Sequence, residues 1–168
     1  MRGAPEQATV LDTSVLSNFA HVDRVELLLE LPRCVTVESV RTELEAGSDT
    51  HPYLTRAVAF LDEDIPVLLP TPPAEQLEEE LLETLDPGEA QALAVTAETD
   101  GVLVTDDGDA RAEAKQRDVT VTGSIGLLVR FIDMDAITIE TADRYLKYWI
   151  DEAGFRAPAR NIETFLAE

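Results

Sequence analysis

The sequence predicts an α/β fold, a three-layer arrangement with a central parallel sheet between helices. Three observations predict it. Short apolar runs of strand length alternate with segments of helical spacing along the chain. The run Val102-Leu103-Val104-Thr105 leads straight into Asp106-Asp107, and Ala8-Thr9-Val10-Leu11 leads into Asp12. Acids at the carboxyl ends of parallel strands lie where open sheets bind ligands.

The elements follow in order. A first strand is expected over Ala8 to Leu11, then helix from Ser14, with Val15, Leu16, Phe19 and Ala20 at helical spacing. A second helix is expected over Val22 to Leu31, stopped by Pro32. Val35 to Val37 reads as strand two and Ser39 to Ala46 as a helix, with Gly47 as its C-cap. Pro52 to Leu61 is a further helix, Val67 to Leu69 a short strand, and Pro70 to Pro73 a linker. Ala74 to Leu85 alternates glutamates with leucines as an amphipathic helix does. Asp86-Pro87-Gly88-Glu89 opens the next helix, which runs to Thr99. Asp86 is its cap, Pro87 takes the first position and Glu89 stands three residues on. Strand four covers Val102 to Thr105, a short helix Ala110 to Arg117 and strand five Val119 to Val121. A helix begins near Ser124, another spans Thr141 to Ala153, and a last one covers Asn161 to Leu166. The whole is expected to form one domain over residues 1–168, with a helical tail from about residue 141.

Composition narrows the classes. No apolar run approaches the length of a membrane span, and Met1 to Gln7 lacks a signal-peptide layout. Cys34 is the only cysteine, so no intramolecular disulfide forms, and a cytoplasmic protein is expected, with Cys34 as a small core residue. The chain carries 34 acids against 13 Lys plus Arg, a net charge of −21. The acids spread among apolar residues rather than forming a tail. Self-repulsion of that size is relieved at about 1 M salt, where the Debye length is about 3 Å. A halophilic setting is therefore expected, and the acidity need not describe the ligand. A nucleic-acid binder normally looks basic and this chain does not, so the composition argues mildly against nucleic acid, which only a specific motif would overturn.

Asp12, Glu43, Glu89 and the pair Asp106-Asp107 stand beside apolar structure, each at a place compatible with one rim of a parallel sheet. Neighbouring strand ends lie about 4.8 Å apart. Carboxylates so close raise each other's pKa unless a cation sits between them. Oxygen ligands without His or Cys suit a hard divalent ion, Mg2+ or Mn2+. His21 and His51 read as surface residues. Simpler roles exist for each acid: Asp12 as a helix N-cap, Glu89 as half of a capping box, Glu43 on a solvated face, and one of Asp106, Asp107 or Asp109 capping the Ala110 helix.

Four segments in this order resemble the PIN domain, a metal-dependent ribonuclease fold found in many prokaryotic toxins. They are Val10-Leu11-Asp12-Thr13-Ser14 with Asn18 downstream, Val40-Arg41-Thr42-Glu43-Leu44, Gly88-Glu89-Ala90, and Val104-Thr105-Asp106-Asp107-Gly108-Asp109. Ala110-Arg111, Thr122-Gly123-Ser124-Ile125-Gly126 and Gly154-Phe155-Arg156 further resemble an uncharacterised PIN subfamily. The resemblance implies strand order 3-2-1-4-5, which brings Asp12 and Asp106-Asp107 to the point where the order reverses. It implies metal-assisted hydrolysis of RNA, with Asp12 and an acid of the Asp106-Asp107 pair on the ion. Glu43 and Glu89 would hold a second ion or its waters, and Thr13, Ser14 or Thr105 would orient the ligands. The T-x-D register favours Asp107 over Asp106 as the direct ligand. An antitoxin partner and a homodimer are implied too, with apolar side chains of the C-terminal third, including Trp149, available for an interface or the core.

The leading expectation is an endoribonuclease, the toxin of a toxin–antitoxin pair. The alternative is a PIN scaffold without turnover that binds RNA or a protein. A response-regulator-like receiver also gathers acids on a parallel sheet, but it wants its acidic pair after the first strand and a lysine late in the chain. Here the pair follows a late strand, and Lys115 follows no strand.

Overall fold

The computed structural model describes residues 6–166, so Met1 to Pro5, part of the segment read against a signal peptide, lie outside the described residues. Five strands form one sheet: β1 (Thr9–Leu11), β2 (Cys34–Val37), β3 (Val67–Leu68), β4 (Val102–Val104) and β5 (Thr120–Thr122). Their order is β3-β2-β1-β4-β5, and every pairing is parallel. The register sets Val10 against Leu103 and Leu11 against Val104. These four side chains are fully buried, as strands covered on both faces require. The order reverses between β1 and β4, and the ladder continues one step further, with the Asp12 N–H donating to the Val104 carbonyl at 2.9 Å.

The helices are α1 (Thr13–His21), α2 (Glu38–Ser48), α3 (Leu54–Glu63), α4 (Pro72–Leu81), α5 (Pro87–Thr99), α6 (Gly108–Gln116), α7 (Ser124–Asp133) and α8 (Ile139–Glu152). Helix α5 is buried nearly all round and packs on α2, α4, α6 and three strands. Its alanines allow that crowding, because small side chains let several neighbours approach one helix. Helix α8 buries Ala142, Tyr145, Leu146 and Trp149, a stripe at the helical period. Trp149 belongs to the core: its ring meets Phe19 edge-on at 5.2 Å, and its Nε1 donates to the Asn18 carbonyl at 2.7 Å. Phe131, Leu127, Leu128 and Leu146 are core too. The large apolar side chains exposed in the C-terminal third are instead Met134, Ile139 and Tyr148.

Several local expectations are corrected. Val22 to Leu31 is not an α-helix but a 3-10 segment over Val25–Glu30, entered through Asp23 at φ 57°. Gly47 lies inside α2 rather than capping it; a Cβ there would sit 2.8 Å from Leu54 Cδ1, so the residue serves close packing of α3. The Pro70 to Pro73 stretch is half helix: Thr71 is the N-cap of α4, and Pro72 and Pro73 occupy its first positions. The final segment is a 3-10 turn, Ile162–Phe165. His21 closes α1 and stacks on Tyr53, with ring centroids 3.9 Å apart. Cys34 is half-buried, and burial pushes its thiol up to about 12, out of the reactive range.

Gly101 joins α5 to β4 directly behind Asp100, whose φ of 53° turns the chain. A Cβ on Gly101 would overlap the Ala8 carbonyl oxygen, a backbone atom that cannot step aside. Gly101→Ala should therefore destabilise the protein by about 1–3 kcal/mol in chemical denaturation, and an unchanged midpoint would contradict the close approach of β1 to this turn.

Candidate active site

The carboxyl ends of β1 and β4, the first turns of α1 and α5 and one face of α2 enclose a cleft of about 300 Å³. It is lined by Asp12, Thr13, Ser14, Glu43, Asp86, Glu89, Asp106 and Asp107. Asp12 has the backbone of an N-cap residue for α1, but its side chain makes no capping hydrogen bond. It turns instead to β4, where Thr105 Oγ1 donates to Asp12 Oδ2 at 2.6 Å. Asp12 is 2 % exposed, and Oδ1 is buried with no hydrogen-bond partner among the described residues. Burial raises its pKa to about 6 against the lowering by the Thr105 hydroxyl. The Thr13 N–H lowers it further, while the Glu43 and Asp107 carboxylates push it up.

The other acids are held by donors from distant parts of the chain. Glu43 Oε1 accepts from the Gly88 N–H at 3.0 Å, and Oε2 accepts from Thr13 Oγ1 at 2.9 Å. Gly88 makes room for this, since a Cβ there would overlap Glu43 Oε1. Glu89 completes part of a capping box, accepting from the Asp86 N–H at 3.1 Å. Its pKa is nevertheless well above the carboxylate range, through burial first and then through Asp107 and Asp12 beside it. Asp106 Oδ1 accepts from the Ser124 N–H at 2.7 Å. Its Oδ2 accepts from Ser124 Oγ at 2.5 Å and from Asn18 Nδ2 at 3.0 Å. Asp107 is the cap of α6, with Oδ2 accepting from the Ala110 N–H at 2.9 Å. Asp107 is also the member of the pair that faces Asp12 and Glu89 electrostatically.

The three hydroxyl residues stand behind these acids. Thr105 binds Asp12, Thr13 binds Glu43, and Ser14 Oγ accepts from the Asp106 N–H at 3.0 Å. Asn18 and Ser124 carry supporting roles that the sequence left without assignment. Their signal was present only as positions within matched segments. Asp86, read as a cap, also lines the cleft. Among the described residues no group of three His, Cys, Asp or Glu stands close enough to hold a metal ion by protein ligands alone. The arrangement instead resembles the partial cradle that suits Mg2+, which takes one or two carboxylates and keeps several waters.

A family model described as a PIN domain (DUF3368) matches residues 8–168. The chain belongs to the PIN-domain family. A solved structure of VapBC-1 from nontypeable Haemophilus influenzae shares this PIN fold at a TM-score of 0.51 and 18% identity, covering 70% of this chain and 98% of that one. No curated protein matches the sequence.

The PIN cleft has a pH signature. The unfolded chain releases the Asp12 proton near 3.8, whereas the folded chain holds it to about 6. The contribution of this group to stability is thus complete below about pH 4 and is lost as pH rises to about 6. In metal-free buffer, Asp12→Asn should remove that loss and raise stability at pH 7 by up to about 3 kcal/mol. Denaturation curves for both proteins from pH 4 to 7 check this, and parallel curves would show that Asp12 is not strained by burial.

Proposed function

We propose that this protein is a divalent-metal-dependent endoribonuclease, the toxin of a toxin–antitoxin pair. The observation that carries the reading is Asp12 Oδ1, a buried carboxylate oxygen with no donor among the described residues, on a side chain that lines a cleft with Glu43, Glu89 and Asp107. A buried charge left this way calls for a cation. Mg2+ or Mn2+ fits the all-oxygen donor set. Asp12 and Asp107 would hold the ion, with Asp106 held back by Ser124 and Asn18 as the alternative ligand. Glu89 and Glu43 would hold its waters or a second ion.

The bound ion supplies a water acidic enough to yield hydroxide near neutral pH. The remaining work falls to the chain. Thr105 fixes the orientation of Asp12 through Oδ2, which leaves Oδ1 for the ion. Thr13 and the Gly88 N–H fix both oxygens of Glu43. Glu89, whose pKa is raised beside Asp107, would lose its proton where a cation bound nearby, so metal uptake should release protons. Likeness to the VapBC-1 fold supports a protein antitoxin as partner, and exposed Met134, Ile139 and Tyr148 offer apolar surface for a homodimer. A cytoplasmic setting rich in salt agrees with the −21 charge.

One observation favours a second reading, a PIN scaffold that binds without turnover. Asp12, Glu43, Glu89, Asp106 and Asp107 each already accept from a protein donor, and no three acids converge on one point among the described residues. Titration with MnCl2 separates the two. Heat, proton release and a thermal shift are expected of the nuclease, and none of them of the silent scaffold.

Asp12→Asn should lower Mg2+- or Mn2+-dependent RNA cleavage in high salt at least about 100-fold, equivalent to about 2.7 kcal/mol of transition-state stabilisation. Gel assays of wild type and variant, purified in parallel, check this. Equal degradation by the two would assign any cleavage to another source.

A further inference from the structure

Beside the acidic cleft lies a second one of about 390 Å³, and Asp106 lines both. The segments Thr122 to Gly126 and Gly154 to Arg156 meet there, though nothing in the proposed hydrolysis uses their cations or aromatic rings. Gly123 and Gly126 contribute bare backbone. A Cβ on Gly123 would sit 2.5 Å from Asp106 Oδ1 and 2.9 Å from Arg111 Nη1, and one on Gly126 would overlap Thr122 Oγ1. Phe155 and Phe165 supply partly exposed aromatic surface. Phe155 is braced from behind by the buried Trp149, edge-on at 5.8 Å. Trp149 in turn donates to the carbonyl of Asn18, whose side chain holds Asp106. The aromatic wall is therefore tied mechanically to the acidic cleft.

The charge of this cleft opposes that of the molecule. Arg111 and Arg156 both line it, on a chain of net charge −21. Arg111 donates to the Thr105 carbonyl at 3.1 Å, and Arg156 is exposed. Neither forms an ion pair among the described residues, a condition they share with Arg33, Lys115, Arg130 and Arg144, but these two stand together in one cleft beside aromatic rings. Guanidinium groups beside exposed phenyl rings match a ligand with anionic oxygens and a flat aromatic face. Unpaired nucleotides have both, whereas a duplex hides its base faces within the stack.

We propose that this second cleft is a binding site for one unpaired nucleotide adjoining the phosphodiester held at the acidic cleft. Arg111 and Arg156 take phosphate oxygens, and Phe155 and Phe165 take the base. The proposal rests on the nuclease reading for the identity of the strand, and its test is independent of turnover. A short labelled oligouridylate carrying 4-thiouridine is bound to the full chain in EDTA, where no metal-dependent cut occurs. Affinity is read by fluorescence anisotropy, and contacts are read by ultraviolet crosslinking and peptide mapping.

The single strand should bind more tightly than the same strand annealed to its complement, and crosslinks should fall on Phe155 or Phe165. Phe155→Ala and Arg156→Glu should each weaken binding about tenfold. Arg156 is exposed, so its variant carries the test even if the Phe155 variant misfolds. Unchanged affinity in Arg156→Glu, equal affinity for duplex, or crosslinks confined elsewhere would overturn the proposal. So would variants that keep RNA affinity but lose a protein that co-purifies with wild type, since the cleft would then be a protein site. Groove-dependent binding without any metal-dependent cleavage would support the cleft and remove the nuclease reading. Cleavage insensitive to both variants would do the reverse.

Discussion

A carboxylate with one buried oxygen left unpaired among the described residues is the constraint on which the rest of this site depends. The sheet forces it. Parallel pairing of β1 with β4 in their observed register sets Asp12 beside the end of β4. The apolar residues before it are fully buried and fix its depth. Five more acids, Glu43, Asp86, Glu89, Asp106 and Asp107, come to the same cleft, and the fold supplies donors to them. Gly88 N–H and Thr13 serve Glu43, Ser124 and Asn18 serve Asp106, and Ala110 N–H serves Asp107. One oxygen of Asp12 is left buried without a partner among the described residues. In a protein stable by a few kcal/mol, such an omission is costly and so points to a ligand rather than to packing.

The frame of the molecule was legible because its signals are local. An apolar run ending in an acid marks β1 and β4 wherever it occurs, and Asp86-Pro87 with Glu89 marks the start of α5 within four residues. What failed were places where a residue has two local meanings. Proline reads as a linker residue, yet at Pro72 it opens a helix. Glycine reads as a cap, yet at Gly47 it admits Leu54 from the next helix. The leucines of Val25–Glu30 carry a helical pattern that a tighter 3-10 turn satisfies as well.

The acids of the cleft were legible for the same local reason, but their donors were not. Asn18 and Ser124 meet Asp106 across separations of 88 and 18 residues, and Thr105 meets Asp12 across 93. A hydrogen bond over such distances leaves no periodicity in the chain. The choice between Asp106 and Asp107 turns on this. Adjacent residues at a strand end face opposite ways, and only the positions of Ser124 and Asn18 decide which way is already occupied.

The strongly acidic surface then changes what a nucleic-acid site must look like. On a basic protein, long-range attraction gathers the strand and any patch can hold it. On this one, the general field repels phosphate, and concentrated salt reduces that repulsion to short range. On the proposed reading, recognition would have to come from contacts made within a few ångströms: an ion in the acidic cleft and the guanidinium groups of the neighbouring one. Most pairing in the described chain spends cations on neighbouring acids at the surface, where such pairs contribute little to stability. Arg111 and Arg156, two of the cations without an ion pair among the described residues, line one cleft together with Asp106 and so place short-range attraction next to the acidic cleft. Guanidinium groups attract phosphate without any ion, so on the proposed reading the second cleft would hold a strand in metal-free buffer, and a cation would be needed only to offset the carboxylates beside the scissile bond.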